Sequence, residues 1–322
     1  MKDKIENREK IEWLNYWIED ANKEKKRIVL IGDSVTRALR KMLNLFMNET
    51  YAVDLVAMSY GLLDDMAFGE IKHFFDVMNY QYEYVFFQLG GHHGYHVKCS
   101  DCSEEAILYK NKSYEILTFL KERVQKVIVL SYTLENEFNA EGNAIENHNK
   151  ELIERNDLVR NSAEMAEILF YDLNDRINYK KVTYTDMCHF HEEWYEYIAK
   201  LMIADLFPQV VCYDSQRIYT FEDFEDMIFS NKNKVFYVYG DGKRGKLVKD
   251  FFERSGKFFF GGFIVSDEYI QFSENAKLLE CISPNNVIII VTPVNTNICK
   301  KVSDAGFEFV TLSSMIYSQL EK

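Results

Sequence analysis

Two short stretches of the chain carry residue types that could do covalent chemistry together. In the first, the apolar run Ile28-Val29-Leu30-Ile31 ends in Gly32-Asp33-Ser34. The second, far downstream, is Asp186-Met187-Cys188-His189. A serine hydroxyl is a weak nucleophile until a histidine accepts its proton and a carboxylate holds that histidine. A serine at a strand-to-helix turn exposes its hydroxyl beside helix amides that can donate to a developing oxyanion. Asp and His three residues apart in a tight turn can project to one side. The aspartate then accepts the Nδ1 proton and leaves Nε2 for Ser34. Each residue also has a plainer role. Ser34 could be a helix N-cap before Val35. His189 could be a surface histidine, with His191 as the rival base.

These side chains must be positioned by regular elements, and the hydrophobic pattern supplies them. The spacing of Ile11, Leu14, Trp17, Ile18 and Ala21 predicts a helix over 5–23. Strands follow at 27–31, 51–57, 84–89, 126–131 and 168–172. Helices are expected over 35–47, 64–78, 104–123, 145–166 and 191–206. Strands alternating with helices imply a parallel sheet covered on both faces. Chemistry in such sheets sits at the carboxyl ends of the strands. Ser34 and the Gly90-Gly91-His92-His93 stretch both fall just beyond strand ends. The pattern breaks near Pro208 to Asp214, which divides the chain into a first domain over 1–210 and a smaller α/β domain over 211–322.

The first domain resembles the SGNH (GDSL-type) hydrolase superfamily over Arg27 to Leu206. Gly32-Asp33-Ser34 matches the block that carries the family's nucleophile, and Asp186-x-x-His189 matches the block that carries the base and its orienting acid. The resemblance implies a flavodoxin-like α/β/α fold with Ser34, Asp186 and His189 as catalytic residues. It also implies further oxyanion donors: a glycine amide and an asparagine side chain. Gly61, after the second strand, is the candidate glycine, and an ordinary turn glycine is the alternative. The family's Gly-x-Asn block corresponds here to Leu89-Gly90-Gly91-His92-His93-Gly94, without asparagine. Counted from Gly91, His93 takes that place, and this is favoured because some branches carry a Gly-x-His form. Counted from Gly90, His92 does. A neutral imidazole N–H can donate to an oxyanion. The two histidines could instead be an ordinary loop cluster.

In the second domain, the strand 235–239 runs into Gly240-Asp241-Gly242-Lys243-Arg244-Gly245 and a helix, and Asp267 follows the next strand. Strand, G-x-G-x-x-G and helix in that order form the context of a dinucleotide fingerprint, in which Asp267 could hold a ribose hydroxyl. The stretch resembles the small Rossmann-like domains attached to bacterial sugar-modifying enzymes. Gly240, Gly242, Gly245 and Asp267 are therefore candidate ligand residues for a nucleotide-type ligand. The unit is short for two mononucleotide halves, so a ligand-free packing or substrate-presenting module is the competing expectation.

Bulk properties exclude more than they identify. A net charge of −13 over 322 residues argues against nucleic acid and against anionic membrane. No apolar run reaches membrane-spanning length, and the charged N-terminus has no signal-like apolar stretch, so a cytoplasmic location is expected. Cys99-x-x-Cys102 is the only close cysteine pair, near His92, His93 and His96. It lacks a second pair at zinc-site spacing, so no metal is expected. The expectation is a serine esterase, an O-acyl hydrolase or transferase that requires no cofactor. Its partner would be a small-molecule or carbohydrate ester, with acetyl the favoured acyl group. The alternative is a catalytically weak hydrolase-fold protein whose second domain binds a nucleotide or nucleotide-sugar.

Overall fold

The computed structural model describes residues 13–20, 25–48, 50–89, 103–139, 141–145, 148–208, 210, 217–273, 275–292 and 296–321. The chain divides into two compact units, Met1–Val210 and Val211–Lys322. Among the described residues, each unit is built on a six-stranded sheet with helices packed against it.

The sheet of the first unit contains β1 (Leu14–Trp17), β2 (Lys26–Gly32), β3 (Tyr51–Met58), β4 (Tyr84–Gln88), β5 (Lys126–Leu130) and β6 (Leu169–Tyr171). Their order is β1-β3-β2-β4-β5-β6, and every pairing is parallel except that of β1 with β3. The strands read as near-continuous apolar runs because both faces of a parallel sheet are covered. Alternate residues such as Val29, Ile31, Val56, Val85 and Phe87 join one core. That core also takes side chains from α2 (Asp65–Val77), α3 (Glu104–Lys121) and α4 (Asn149–Met165). Two further helices, α1 (Ser34–Met47) and α5 (Glu192–Leu206), pack against one another. Phe207, just after α5, lies on Tyr51, Tyr84 and Phe86.

Leu14–Trp17 departs from the sequence expectation of a helix over 5–23. It is an edge strand, with Leu14 opposite Met58 and Trp17 opposite Leu55. The tract Trp-Leu-Asn-Tyr-Trp is aromatic-rich, and its apolar spacing satisfies both periods. The unpaired edge of β3 decides the outcome in favour of strand. The remainder of the expected helix lies partly outside the described residues.

One buried ion pair fixes β2 against β3. Arg27 donates from Nε and Nη2 to the two oxygens of Asp54, at 3.0 and 2.9 Å. Its guanidinium also donates to the Asp20 carbonyl, and the Tyr82 hydroxyl donates to Asp54 at 2.8 Å. Both charges are buried, so the pair persists only because its donors and acceptors are met in this way.

The second unit has the sheet order β10-β9-β8-β11-β12-β7, with all pairings parallel. Its strands are β7 (Arg217–Ile218), β8 (Val235–Tyr239), β9 (Phe259–Ile264), β10 (Ala276–Lys277), β11 (Val287–Val291) and β12 (Glu308–Leu312). The helices are α6 (Phe221–Ser230), α7 (Lys243–Ser255), α8 (Thr296–Asp304) and α9 (Ser314–Leu320). Separate cores lie on the two faces, one with Phe236, Val238 and Ile290, the other with Tyr239, Ile289 and Val291. Successive strands leave β8 in one direction and resume on its other side at β11. That reversal opens a crevice at the carboxyl ends of the strands.

No helix among the described residues is long and apolar enough to cross a membrane.

Candidate active site

Gly32 ends β2 where the backbone passes very close to β4. A Cβ there would lie 2.1 Å from Thr36 Oγ1 and 2.7 Å from the Gln88 carbonyl oxygen. Only glycine permits this turn. The next residue, Asp33, caps α1, its carboxylate accepting from the Val35 amide at 2.9 Å. The capping role open to Ser34 therefore belongs to Asp33. Ser34 is the first residue of the helix, and its hydroxyl is left for other partners.

The partner comes from the segment between β6 and α5. Tyr184 and Phe190 form an antiparallel bridge, and the Thr185 amide donates to the His189 carbonyl at 2.8 Å. Within this closed turn, Asp186 Oδ1 accepts from the Cys188 and His189 amides at 3.0 and 2.8 Å. Phe190 is buried beside Tyr184 and Tyr195 and anchors the turn. His189 is thereby held with Nδ1 2.8 Å from Asp186 Oδ2 and Nε2 2.6 Å from Ser34 Oγ. Burial acts to raise the Asp186 carboxyl. The amide and ring of His189 and the Cys188 amide outweigh it and hold the group below its ordinary value. Asp186 is therefore favoured as the anion beside Nδ1, with Nε2 facing the hydroxyl.

The remaining residues singled out from sequence stand as follows. His191 is exposed, opens α5, and makes its backbone bond to Thr183. Gly61 is buried beyond β3, and its carbonyl accepts from Asp64. His92 and His93, with Cys99 and Cys102, lie outside the described residues.

Several polar side chains that carry no motif tie the site to the sheet. Thr36 Oγ1 donates to Gln88 Oε1 at 2.9 Å, and Gln88 Nε2 donates to the Ser131 carbonyl at 2.7 Å. Ser131 Oγ accepts from the Leu173 amide at 2.9 Å, and Asn174 Nδ2 donates to the Tyr132 carbonyl at 2.9 Å. The Tyr179 hydroxyl donates to Asn174 and accepts from the Leu134 amide. The chain of bonds runs from the Ser34 helix across β4 and β5 to the segment that leads to His189. Its one sequence signal is Gln88, a buried amide at the end of an otherwise apolar strand.

Beside Asp186 lies a cleft of about 900 Å³, lined among others by Asn136, Phe138, Lys180, Tyr184, Asp186 and His191. Cys188 is adjacent, its Sγ 3.6 Å from His189 Nδ1. Burial, then the carboxylates of Asp186, Asp33 and Glu135, push its thiol up to about 12, which disfavours the thiolate.

In the second unit, Gly240 has φ of 100° at the end of β8, and its amide donates to the Ile264 carbonyl at 2.8 Å. A Cβ on Gly245 would lie 2.0 Å from the Gly240 carbonyl oxygen, which explains both glycines as a tight loop-to-helix approach. Gly242 precedes α7 with open space around it. A cleft of about 560 Å³ is lined here by Gly240, Gly242, Ser266, Glu268, Tyr269 and Lys301, among others. Asp267 is exposed at the start of a short 3-10 helix, and it is Ser266 and Glu268 that face the cleft.

No protein-family model matches the chain. No curated protein matches it either. Among solved structures it is similar to LAE5, an alpha/beta hydrolase enzyme from the metagenome of Lake Arreo, Spain, at 16% identity over 56% of this chain and 94% of that one, with a TM-score of 0.42. It is similar to the acetyl xylan esterase AlAXEase at 15% identity over 56% of this chain and 100% of that one, with a TM-score of 0.44. It is also similar to Axe2, an acetylxylan esterase from Geobacillus stearothermophilus, at 14% identity over 58% of this chain and 97% of that one, with a TM-score of 0.38. At such identity the likeness is one of fold alone.

Proposed function

We propose that the first unit is a serine esterase or O-acyltransferase in which Ser34, His189 and Asp186 act as a catalytic triad. The reading rests on one observation: Ser34 Oγ, the His189 ring and the Asp186 carboxylate form an unbroken line of contacts at 2.6 and 2.8 Å. Ser34 Oγ attacks an ester carbonyl while His189 Nε2 takes its proton. The tetrahedral oxyanion is met by the Ser34 amide at the N-terminus of α1, with the Gly61 amide and His93 or His92 as further donors. His189 then protonates the departing alcohol. Water, or the hydroxyl of an acceptor such as a sugar, takes the acyl group from Ser34 in the second half-reaction. Acetyl esters of carbohydrates are the proposed substrates. The cleft beside Asp186, with Phe138, Asn136 and Lys180, offers an apolar face and polar groups for such an alcohol portion.

Hydrolysis of p-nitrophenyl acetate by the full chain and by Ser34→Ala tests the reading. Wild type is expected to turn over, and the variant to lose nearly all of it. Equal rates in the two proteins contradict the assignment.

For the second unit we propose a ligand of nucleotide type, bound in the cleft at the ends of β8 and β9. The support is the position of that cleft at the strand reversal, with the Gly240–Gly245 turn at its rim.

A further inference from the structure

Beside the base and acid of the proposed triad lies a third ligand atom, the Cys188 sulfur, that esterase chemistry does not use. Asp186, Cys188 and His189 offer a carboxylate oxygen, a sulfur and a ring nitrogen that all lie within 4.8 Å of one another. The sulfur is 3.6 Å from His189 Nδ1. A tetrahedral zinc with ordinary Zn–S and Zn–N lengths holds those two atoms about 3.6 Å apart. Zinc-bound nitrogen and carboxylate oxygen sit about 3.4 Å apart, against 2.8 Å to Asp186 Oδ2 and 3.0 Å to Oδ1 here, so the whole carboxylate must draw back from the ring to admit the ion. Its side chain is more than half exposed, and Oδ1 also carries the two amides that fix the turn, so the turn moves with it.

We propose that Asp186, Cys188 and His189 form an inhibitory site for a thiophilic divalent cation, zinc being the best fit, that silences Ser34 by occupying His189 Nδ1. Sulfur and imidazole together favour zinc over magnesium or calcium. The inhibition rests on the triad reading above; the metal site does not. The cation takes the Nδ1 lone pair, so the proton once held there moves through solvent to Nε2. The thiol becomes a thiolate and releases its proton to solvent, and Asp186 changes its partner from ring to metal. The exchange releases one proton in all, and nothing is oxidised or reduced. His189 Nε2 then carries a hydrogen and cannot accept the proton of Ser34. Zinc would act here as a reversible off-switch of the base, with no role in turnover.

The test uses the full chain with Cys99 and Cys102 both replaced by serine, so that this pair cannot supply sulfur. Cobalt(II) is the optical probe of binding and zinc is the inhibitor. With Cys188 present, one equivalent of cobalt is expected to give a thiolate-to-cobalt charge-transfer band, and zinc to displace it. The added change Cys188→Ser should abolish the band and weaken zinc inhibition of p-nitrophenyl acetate hydrolysis at least tenfold, inhibition being read in each protein relative to its own metal-free rate. A band that survives Cys188→Ser overturns the site. A band that depends on Cys188, with equal zinc inhibition in both proteins, overturns the switch. If no variant hydrolyses the ester, the esterase reading fails and the switch with it, and the cobalt band alone still decides the site.

Discussion

Asp186 has two tasks. Oδ1 closes the turn by accepting the Cys188 and His189 amides, and both oxygens face the His189 ring, Oδ2 at 2.8 Å and Oδ1 at 3.0 Å. The spacing of three residues between acid and base follows from this, because one carboxylate can reach both the amide and the ring only across so short a turn. Asp186→Asn keeps an oxygen for the amides but turns an NH2 group toward the ring, which favours the tautomer with hydrogen on Nε2. The expected result is a fall in kcat on the order of 10⁴ with little change in KM. Steady-state kinetics on an ester substrate checks it, and a loss confined to KM contradicts it. The same group makes a prediction about pH. Its folded-state value lies below the ordinary carboxylate value of about 3.9, so it stabilises the fold above that pH and ceases to do so as the pH falls through its folded value. The difference in Tm between wild type and Asp186→Asn should therefore be full at neutral pH and close on acidification below about pH 4. A difference that widens with acid has the wrong sign.

At the scale of elements, the nucleophile turn depends on how closely β2, α1 and β4 approach. Gly32→Ala places a methyl group 2.1 Å from Thr36 Oγ1 and 2.7 Å from the backbone of Gln88. The backbone oxygen cannot rotate away, so the start of α1 must shift and carry Ser34 with it. Overpacking of this kind costs about 1–3 kcal/mol of stability, and a displacement near 1 Å costs about 10²-fold in rate. Denaturant unfolding and ester hydrolysis read the two effects separately, and full activity in this variant contradicts the account of the turn. What the sequence disclosed follows the same physics. The five parallel strands of the first sheet are legible as apolar runs because burial on both faces leaves nothing else. Ser34, Asp186 and His189 are legible by type and spacing. The strand at 14–17 is not, because its aromatic residues fit both periods and the choice lies with the edge of β3. Asp33 as the cap of α1 is hidden for a similar reason, since Asp and Ser are equally good caps and only the backbone at the turn decides. The bonds joining Thr36, Gln88 and Ser131 are hidden because each partner is distant in sequence.

At the scale of the whole molecule, a mostly parallel sheet and a parallel sheet each present a cleft beyond the carboxyl ends of strands, with acyl-transfer chemistry proposed for the first and a phosphorylated ligand for the second. Gly242→Asp separates them. The position has open space and an ordinary φ of −70°, so the side chain is accommodated, and aspartate is a good cap for α7. The added carboxylate would compete with a phosphate at the same helix end. In a thermal-shift panel of nucleotides and nucleotide-sugars, at least one compound is expected to raise the Tm of wild type and of Ser34→Ala, but not of Gly242→Asp. Gly242→Asp should hydrolyse p-nitrophenyl acetate as wild type does. A panel in which no compound shifts wild type contradicts the ligand assignment and leaves the triad untouched.

The central claim is that the hydroxyl of Ser34 is a nucleophile activated by His189. Its most direct measurement is mass spectrometry of the intact and digested chain after exposure to a fluorophosphonate. The account predicts a single adduct on Ser34, formed rapidly in wild type and suppressed in His189→Ala. An adduct on another residue, or none on Ser34 under conditions that label a known serine hydrolase, would contradict it.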